Sequence, residues 1–240
     1  MVADVGVVVV AAGAGDRLGA DRPKALVEVA GRALLGHALD GLAAAGLPAP
    51  VVVHAPDHRT AFTAAVGDVE VAAWVPGGAT RTASVRAGVA ALPHPAATIV
   101  VHDAARPLTP PQVIGSALAA VVDAADGAVS AAAPALPVAD TLKRVDGDRV
   151  LGTVDRTDLV GVQTPQVFTA EALRAALDLG DDATDELGLV ERLLAAGRLD
   201  GRVAVVPGSA WGRKVTTAAD LAVVEALAAA VQPTRPGAQP

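Results

Sequence analysis

A glycine-rich segment with two basic residues directly follows the first apolar run of this 240-residue chain. It reads Ala11-Ala-Gly13-Ala-Gly15-Asp-Arg17-Leu-Gly19-Ala-Asp-Arg-Pro23-Lys24. Glycines after a buried strand let backbone N–H groups approach phosphate oxygens closely, and the side chains of Arg17 and Lys24 would add positive charge. The segment therefore predicts a phosphate-binding loop, although a flexible turn with solvated cations has the same composition.

Two other phosphate-binding motifs do not fit this spacing. A dinucleotide fingerprint needs G-x-G-x-x-G, but counted from Gly13 the third glycine falls at Gly19, one residue late. The fingerprint also needs an acidic residue at the end of the second strand, which is missing here. A Walker A loop needs Gly-Lys-Ser/Thr, whereas Lys24 follows Pro23. The spacing disfavours both motifs, and with the first a nicotinamide dehydrogenase.

The composition limits the ligands that such a loop would serve. The chain has 19 Lys and Arg against 26 Asp and Glu, a net charge of −7, which argues against a surface for nucleic acid or anionic lipid. Aromatic residues make up 2% of the chain, so stacking platforms for single-stranded nucleic acid are nearly lacking. Cysteine is absent, which excludes thiolate nucleophiles and cysteine-based metal sites. An anionic substrate would need a local cationic pocket.

The hydrophobic content of 52% is that of a folded chain rather than a disordered one. No apolar run reaches the ~18–20 residues that a transmembrane helix needs. The first residues carry Asp4 where a signal peptide would carry Lys or Arg. We therefore expect a cytoplasmic protein with no membrane segment.

The elements that position these residues follow an alternating pattern. Strand-length apolar runs alternate with Ala/Leu-rich stretches of helical period, which is typical of βαβ units. We predict strands over residues 5–11, 50–54, 69–75, 98–102, 127–133 and 202–206. We predict helices over 32–45, 57–66, 80–92, 110–125, 169–179 and 184–196, with a last helix starting at Thr217, where Asp220 has the capping-box spacing. The predicted fold is α/β and Rossmann-like, with a mostly parallel sheet and ligands at the carboxyl ends of its strands.

The pattern changes over residues 139–156, where two short polar and apolar strands flank the turn signal Asp146-Gly147. This predicts a protruding β-hairpin arm. An isolated two-stranded hairpin is marginally stable, so its apolar side chains need a docking surface, which a homodimer that exchanges arms would supply. We expect one domain over residues 1–230, including the arm, and a frayed tail over 231–240.

Further groups of polar residues follow along the chain. They are Gly77-Gly78 with Arg81 and Ser84, His102-Asp103-Ala-Ala-Arg106-Pro107, Asp140-Thr141-Leu-Lys143, Thr153-Val-Asp155-Arg156, Gln163-Thr164-Pro165-Gln166, Thr184-Asp185-Glu186 and Lys214-Val-Thr216. With the glycine-rich loop, this colinear series resembles the signatures of the 2-C-methyl-D-erythritol 4-phosphate cytidylyltransferase family of isoprenoid biosynthesis. The resemblance extends over about residues 5 to 225.

The resemblance implies that CTP and 2-C-methyl-D-erythritol 4-phosphate react to give a CDP-alcohol and pyrophosphate, with Mg²⁺ or another divalent cation. Nucleotidyl transfer brings like charges together, so cations and positioning dominate the chemistry. The attacking phosphate is already ionised at neutral pH, so no general base is required. His102 is accordingly interpreted as a hydrogen-bonded structural residue, not a catalytic one.

The resemblance also implies a role for each matching residue. The catalytic cations would be Arg17, Lys24 and Lys214. The nucleotide would be bound by Ala11, Ala12, Gly13, Ala14, Gly15, Gly77, Gly78, Ser84 and Ala104. The polyol phosphate would be bound by Asp103, Arg106, Thr141, Arg156, Thr164 and Thr184, with Asp103 also a candidate metal ligand. The family arrangement implies a homodimer in which Arg156 of one chain reaches the Lys24 loop of the other.

The sequence departs from the family at a few positions. Ala79 stands where an acidic residue is common, which bears on nucleotide recognition, and Arg213 adds a charge expected near the phosphates. Two other functions stay open at this point. One is a cytidylyltransferase for another polyol phosphate, such as ribitol 5-phosphate, and the other is a catalytically silent nucleotide-binding protein.

Overall fold

The computed structural model describes residues 4–15, 18–19, 21–124 and 128–231. In chain order, its elements are β1 (Val5–Ala11), β2 (Glu28–Val29), β3 (Arg32–Ala33), α1 (Leu34–Ala44), β4 (Val51–His54), α2 (Arg59–Val66), β5 (Ala73–Pro76), α3 (Arg81–Ala90), β6 (Thr98–Asp103), α4 (Pro111–Val122), β7 (Ala131–Pro137), β8 (Leu142–Asp146), β9 (Arg149–Val154), β10 (Val160–Val162), β11 (Gln166–Thr169), α5 (Ala170–Asp178), α6 (Leu187–Ala195), β12 (Val203–Pro207) and α7 (Ala218–Val231).

The main sheet is mixed, with a parallel part and an antiparallel part. Its strands follow the order β5-β4-β1-β6-β11-β7, and β7 also pairs with β10 and β12. β1 is parallel to β4 and β6, β4 is parallel to β5, and β7 is parallel to β12. β11 is antiparallel to both β6 and β7, and β10 is antiparallel to β7. The prediction of an α/β fold with a mostly parallel sheet is confirmed.

Valine-rich strands are buried on both faces of this sheet by two layers of helices. Along β1, Val7 and Val9 face the cluster that contains residues of α1, α2 and α4. Val8 faces the opposite cluster, which contains residues of α3, α5 and α6. Because successive strand side chains point to opposite faces, a continuous run of valines is what a doubly covered strand requires.

The order of the strands places a crevice at the carboxyl end of β1. The chain runs from β1 to β4 and β5 on one side, then returns to β6 on the other side of β1. Because of this reversal, the loops that follow β1 and β6 run apart and leave a crevice between them. Open α/β sheets bind their ligands in such a crevice. The glycine-rich loop and the His102-Asp103 segment both begin at this point.

The predicted arm is present as a separate two-stranded sheet of β8 and β9. The strands pair from Leu142 with Val154 to Asp146 with Arg149, and Gly147 in the turn has a φ of 57°, which favours glycine. Val145, Val150 and Leu151 are more than half exposed. The hairpin is therefore confirmed, and its apolar side chains are uncovered in the single chain.

Several predicted boundaries are wrong for physical reasons. The strand predicted over 69–75 starts at Ala73. The helix predicted over 32–45 starts at Leu34, because Arg32 and Ala33 pair with β2 instead. The strand predicted over 127–133 is instead β7, Ala131–Pro137. Its alanines do not mark where the strand begins or ends, so pairing with distant strands decides its bounds. Four strands were not predicted at all: the short pair β2 and β3, and the sheet strands β10 and β11.

The C-terminal helix starts as its capping box predicts. The N–H of Asp220 donates to Thr217 Oγ1 at 3.3 Å, and the N–H of Thr217 donates to Asp220 Oδ2 at 3.0 Å. Within the described part of the chain, no helix has the length and apolarity needed to cross a membrane. Residues 232–240 of the predicted tail lie outside the described residues.

Candidate active site

A cavity of about 420 Å³ opens at the carboxyl ends of β1 and β6. Its walls come from the loop after β1, the loop before α3 and the segment after β6. The predicted site residues that line it are Ala11, Ala12, Gly13, Ala14, Lys24, Gly78, Ser84, Asp103, Ala104 and Lys214. We call it the larger cavity. The sheet thus brings together residues that are up to 200 positions apart, as the fold prediction requires.

The loop after β1 folds back so that Lys24 lines the larger cavity. Gly15 has a φ of 88°, and a Cβ at this position would lie 2.8 Å from the Cβ of Lys24. The N–H of Lys24 points to the carbonyl of Gly13 at 3.4 Å, and the buried Ala25 and Leu26 anchor the short helix that Lys24 begins. Gly15 therefore shapes the loop rather than lining the cavity. The predicted catalytic residue Arg17 lies outside the described residues.

The second wall depends on two glycines that come close to neighbouring backbone. A Cβ at residue 77 would lie 2.3 Å from the Cβ of Ala12, and the N–H of Gly77 donates to the carbonyl of His54 at 2.8 Å. Ser84 Oγ accepts from the N–H of Gly78 at 3.1 Å and donates to the carbonyl of Thr80 at 2.9 Å. Both hydrogen bonds of the Ser84 hydroxyl are internal, so its first role is to hold this loop.

A smaller cavity of about 170 Å³ adjoins the larger one. The predicted residues Arg106, Thr164 and Thr184 line it, as do Gln163, Gln166 and Asp185. Arg81, Asp103 and Lys214 line both cavities. We call these three residues the junction. It is the place where groups held in the two cavities would meet.

The carboxylate of Asp103 is held by cations on both of its oxygens. Arg81 Nη2 donates to Oδ1 at 3.1 Å, and Lys214 Nζ donates to Oδ2 at 2.6 Å. Burial alone would raise the pKa of Asp103, but the charges of Arg81 and Lys214 hold it well below its usual range. Asp103 is therefore ionised at neutral pH and orients both cations.

Sequence reasoning assigned no role to Arg81 or to Glu186. Arg81 Nη1 donates to Glu186 Oε2, and the side chain of Glu186 is completely buried. In the sequence, Glu186 belongs to an acidic group with Asp181, Asp182 and Asp185, which could be either a metal cluster or a set of helix-dipole partners. The structure instead makes it the ion-pair partner of Arg81. The sequence contained one signal for this ion pair: Arg81, a cation that follows Gly77-Gly78 and begins α3.

His102 is buried and hydrogen-bonded on both ring nitrogens, as predicted for a structural residue. Nε2 lies 3.3 Å from the carbonyl of Arg106, and Nδ1 lies 3.1 Å from Thr164 Oγ1. These partners assign a neutral ring that donates from Nε2 and accepts at Nδ1. Burial lowers the pKa of His102 to about 4. The ring thereby orients the Thr164 hydroxyl, which also accepts from the N–H of Asp103 at 3.1 Å.

The guanidinium of Arg106 ties two loops together at the edge of the smaller cavity. Nη1 donates to the carbonyl of Gly212 at 2.7 Å, and Nη2 donates to that of Val162 at 3.3 Å. Burial lowers the pKa of Arg106, although a guanidinium stays charged at any physiological pH. Arg106 therefore contributes positive charge to the cavity while its donors hold the wall.

Not every predicted position lines a cavity: Gly77, like Gly15, lies outside both linings. The predicted positions on the arm and at the start of α7 lie farther from them. Thr141 and Arg156 flank the strands of the arm, and Arg156 Nη1 donates to the carbonyl of Val138. Neither residue lines the cavities described above. Arg213, expected near the phosphates, instead donates to Asp220 Oδ1 at 3.0 Å at the start of α7. A role for Arg156 or Thr141 in a partner's site stays a prediction.

The described residues do not form a metal centre of their own. In residues 4–15, 18–19, 21–124 and 128–231, no three carboxylates or imidazoles come together as a metal ion would need. Both oxygens of Asp103, the candidate ligand, already accept hydrogen bonds from cations. Each carboxylate oxygen keeps a second lone pair, so a role for Asp103 as a single ligand of an ion held mainly by a substrate stays a prediction.

Known proteins resemble the chain over nearly its whole length. The family model of 2-C-methyl-D-erythritol 4-phosphate cytidylyltransferase matches residues 5–229. A relative of that name from Saccharopolyspora erythraea is 48% identical over 227 residues, covering 91% of this chain and 96% of the relative. The crystal structure of that enzyme from Thermus thermophilus matches with a TM-score of 0.71 at 33% identity, covering 93% of this chain and 98% of that chain.

A longer relative shares the same region. The Bifunctional enzyme IspD/IspF of Clavibacter michiganensis is 51% identical over 233 residues. The match covers 94% of this chain but 54% of the relative, so the chain spans about half of that protein. Because residues 5–229 contain every residue that lines the two cavities, the similarity includes the whole candidate site.

Proposed function

This chain belongs to the 2-C-methyl-D-erythritol 4-phosphate cytidylyltransferase family, and we propose how its two cavities divide the reaction. The chain is a nucleotidyltransferase of isoprenoid biosynthesis that joins CTP and 2-C-methyl-D-erythritol 4-phosphate into 4-diphosphocytidyl-2-C-methyl-D-erythritol and pyrophosphate. The division rests on one observation: two adjoining cavities share the cationic junction of Arg81, Asp103 and Lys214.

The larger cavity is assigned to CTP. Its volume lies within the range of about 300–1,000 Å³ that is usual for small-molecule sites. Backbone of residues 11–14 and the side chain of Lys24 face the space where a triphosphate would lie, and Arg17 is assigned the same function from the sequence. The N–H of Gly78 is bonded to Ser84, so the backbone carbonyls of Gly78 and Ala79, which line this cavity, are assigned to accept from the cytosine amino group.

The smaller cavity is assigned to the polyol phosphate. Hydroxyl groups of Thr164 and Thr184 line it beside the charge of Arg106, a combination that suits a phosphate monoester with several hydroxyls. Lys214 lies where this cavity meets the larger one. A phosphate in the smaller cavity would thus reach the α-phosphate of CTP at the junction.

The chemistry at the junction is an in-line displacement. A phosphate oxygen of the polyol attacks the α-phosphorus of CTP, a new P–O bond forms, and the bond to the β-phosphate bridging oxygen breaks so that pyrophosphate leaves. Lys214 reduces the repulsion between the two substrates, and Lys24 stabilises charge on the transferring phosphoryl group. No proton has to be removed, because the attacking phosphate is already ionised.

We assign Mg²⁺ to the substrate rather than to the protein, because the described residues provide no metal centre. The ion would arrive on the triphosphate, as Mg²⁺ commonly does in phosphoryl-transfer sites. Bound there, it would supply positive charge to the phosphate oxygens. Asp103 would remain the partner of Lys214.

We also propose that the enzyme is a cytoplasmic homodimer joined through its arms. The support is the exposure of Val145, Val150 and Leu151 on a two-stranded sheet that has no apolar cover in its own chain. Exchange of arms across a two-fold axis would bury these side chains. It would also carry Arg156 and Thr141 toward the partner's site, with Arg156 near the Lys24 loop.

A pyrophosphate-release assay with two nucleotides and two acceptors tests the proposal. We expect turnover with CTP and 2-C-methyl-D-erythritol 4-phosphate, and weak turnover when UTP or ribitol 5-phosphate replaces either substrate. Backbone acceptors that bind the cytosine amino group would be left unpaired by UTP, which makes rejection steep. Equal kcat/KM for CTP and UTP would show that Ala79 has removed this selectivity, and preference for ribitol 5-phosphate would reassign the acceptor.

A further inference from the structure

An ion pair joins Arg81 of the junction to a residue outside it, Glu186, and this pair has had no part in the reaction as described so far. The side chain of Glu186 is fully buried just before α6, and Arg81 begins α3 with its side chain 19% exposed. They come from positions that are 105 residues apart and form an ion pair. The pair lies directly behind Asp103, which Arg81 also contacts.

The same pair joins two segments that form walls of different cavities. Thr80 Oγ1 donates to Asp182 Oδ1 at 2.6 Å, and the N–H of Ala183 donates to Thr82 Oγ1 at 3.2 Å. With the ion pair, these bonds attach the segment 182–186 to the first turn of α3. That turn follows the Gly77-Gly78 loop of the larger cavity, whereas the segment supplies Thr184 to the smaller one.

The geometry of the pair fits a role in positioning Arg81 better than a role in stabilising the fold. Oε2 of Glu186 accepts from Arg81, while the buried Oε1 has no hydrogen-bond partner. A buried carboxylate oxygen without a donor is costly, and buried ion pairs rarely stabilise a fold more than apolar replacements do. Burial also raises the pKa of Glu186. Stability alone therefore does not account for this residue.

A continuous chain of polar contacts leads from Glu186 to the junction. Arg81 donates to Glu186 and to Asp103 Oδ1, and Lys214 donates to Asp103 Oδ2 at 2.6 Å. We propose that Glu186 is a positioning residue that, through Arg81 and Asp103, fixes Lys214 between the two substrates. This inference rests on the proposed role of Lys214.

The positive charge of Arg81 explains why it needs Glu186 as a second anionic partner beside Asp103. Arg81 lines both cavities, and without Glu186 its guanidinium is free to turn toward a triphosphate in the larger one. Asp103 would then lose the donor on Oδ1, and Lys214 would lose its fixed orientation. A displacement of about 1 Å in a reacting group can cost about 10²-fold in rate.

Glu186→Gln tests the proposal because it keeps the shape and one acceptor but removes the charge. We expect kcat/KM for the acceptor to fall by about 10- to 100-fold, with no loss of affinity for CTP alone and with cooperative thermal unfolding retained. Asp181→Asn is the matched control, since Asp181 lies in the same acidic group but forms an exposed ion pair with Arg192. The control should keep wild-type kinetics.

A double-mutant cycle with Lys214→Ala separates positioning from a general structural role. Affinity for the acceptor is measured by calorimetry with α,β-methylene CTP present, so that turnover is not required. If Glu186 acts through Lys214, Glu186→Gln has little further effect in the Lys214→Ala background. An equal loss in both backgrounds would overturn the inference.

Failure of the proposed role of Lys214 can be distinguished from failure of the inference about Glu186. Wild-type kinetics of Lys214→Ala would overturn the proposed role of Lys214 itself, whatever Glu186 does. If Glu186→Gln fails to fold, Glu186→Asp replaces it in the cycle, because aspartate keeps the charge but its shorter side chain cannot hold Arg81 in the same place. Non-additivity with Lys214→Ala is then the supporting result, and additivity the contradicting one.

Discussion

The junction and the arm of this enzyme use charged residues in opposite ways. At the junction, Asp103 is buried and bonded to two cations at 3.1 and 2.6 Å. In the arm, Lys143 and Arg156 are exposed and contact neighbours on the hairpin or its base. The junction is arranged within one chain, whereas the arm presents side chains outward. This difference is what the proposed homodimer requires: the junction would be complete in one chain, and the arm would complete its contacts in a partner.

The dielectric environment explains why ion pairs fix side chains at the junction but not in the arm. Ion pairs in a partly buried site are screened little, so they hold side chains in fixed places. Exposed pairs contribute about 0–1 kcal/mol and leave long side chains mobile. Substitutions at the junction should therefore act on the chain that carries them, and substitutions in the arm on its partner.

The largest effect is expected from Lys24→Ala. A cation aimed at transition-state charge is worth about 10²–10³ in rate, so turnover in the pyrophosphate-release assay should fall by that factor. The melting temperature should change little, because the side chain of Lys24 lines the cavity rather than packing in the core. Arg22→Ala is the control: Arg22 is in the same loop but is 57% exposed and outside the cavity, and it should keep full activity.

A rate within a few-fold of wild type would remove Lys24 from the catalytic set. A large fall in melting temperature would show a structural role instead. Because Lys24 is assigned to phosphate rather than base, a shift of preference toward UTP would also contradict the assignment.

Arg156→Ala tests whether the arm acts in the partner's site. Alone, it should lose about 10²-fold in rate, as expected for a lost charge-assisted contact to phosphate. Mixed with Lys24→Ala after reversible dissociation, about a quarter of wild-type activity should return. Random pairing makes half of the dimers mixed, and each mixed dimer has one intact site under two-fold symmetry.

Arg149→Ala serves as the control in the same hairpin, since Arg149 is next to the turn, away from the base of the arm. It should keep wild-type activity. No recovery in verified mixed dimers, or a fully active monomer by gel filtration, would mean that the arm is a surface hairpin of its own chain.

A smaller effect concerns the pH dependence of stability at the buried His102. Its pKa is lowered to about 4 by burial, so the unfolded chain binds more protons than the native state between about pH 4 and 6.5. Stability should therefore fall as pH falls through this window, by roughly 2 kcal/mol between pH 8 and pH 5. Urea unfolding at both values measures it.

The contribution of His102 is isolated by comparing variants. His102→Gln should be less stable at pH 8 but should lose less on going to pH 5, whereas the exposed His94→Gln should behave as wild type. Burial raises the pKa of Glu186, which acts in the opposite direction, so the difference between variants, not the wild-type slope, is the test. An unchanged slope in His102→Gln would contradict it.

The smallest effect is expected in the turn of the arm. Gly147 has a φ of 57°, so Gly147→Ala should destabilise the hairpin by about 1 kcal/mol. Gly147→Asn should be tolerated better, since asparagine adopts this conformation more readily. Hydrogen exchange should speed up in β8 and β9 and stay unchanged in β1. Equal acceleration in β1 would show that the arm and the sheet unfold together.

Sequence patterns predicted the parts of the molecule that depend on local chemistry. β1 was predicted with its correct bounds because seven consecutive apolar residues buried on both faces leave little choice of structure. The hairpin was predicted from one turn signal, and the loop of residues 11–15 from its glycines. In each case the information lies within a few neighbouring residues.

Features that depend on distant partners could not be predicted in this way. β11 has four residues, and its pairing with β6 and β7 decides its structure. In the sequence, Glu186 cannot be told from Asp185 or Asp182, because only its pairing with Arg81, 105 positions away, makes it buried. The ion-pair chain at the junction follows from such pairings, and it was missed for the same reason.

The position of β11 between β6 and β7 also determines when β6 is covered while the ribosome synthesises the chain. β6 is complete at Asp103, yet the strand that covers its free edge begins at Gln166. At about 5–20 residues per second, the ribosome needs roughly 3–12 s for the intervening residues. During that interval the nascent chain presents an uncovered apolar strand edge, which is a template for pairing with other chains. Rapid translation of the middle third, or a chaperone that binds there, would protect this enzyme while it is being made.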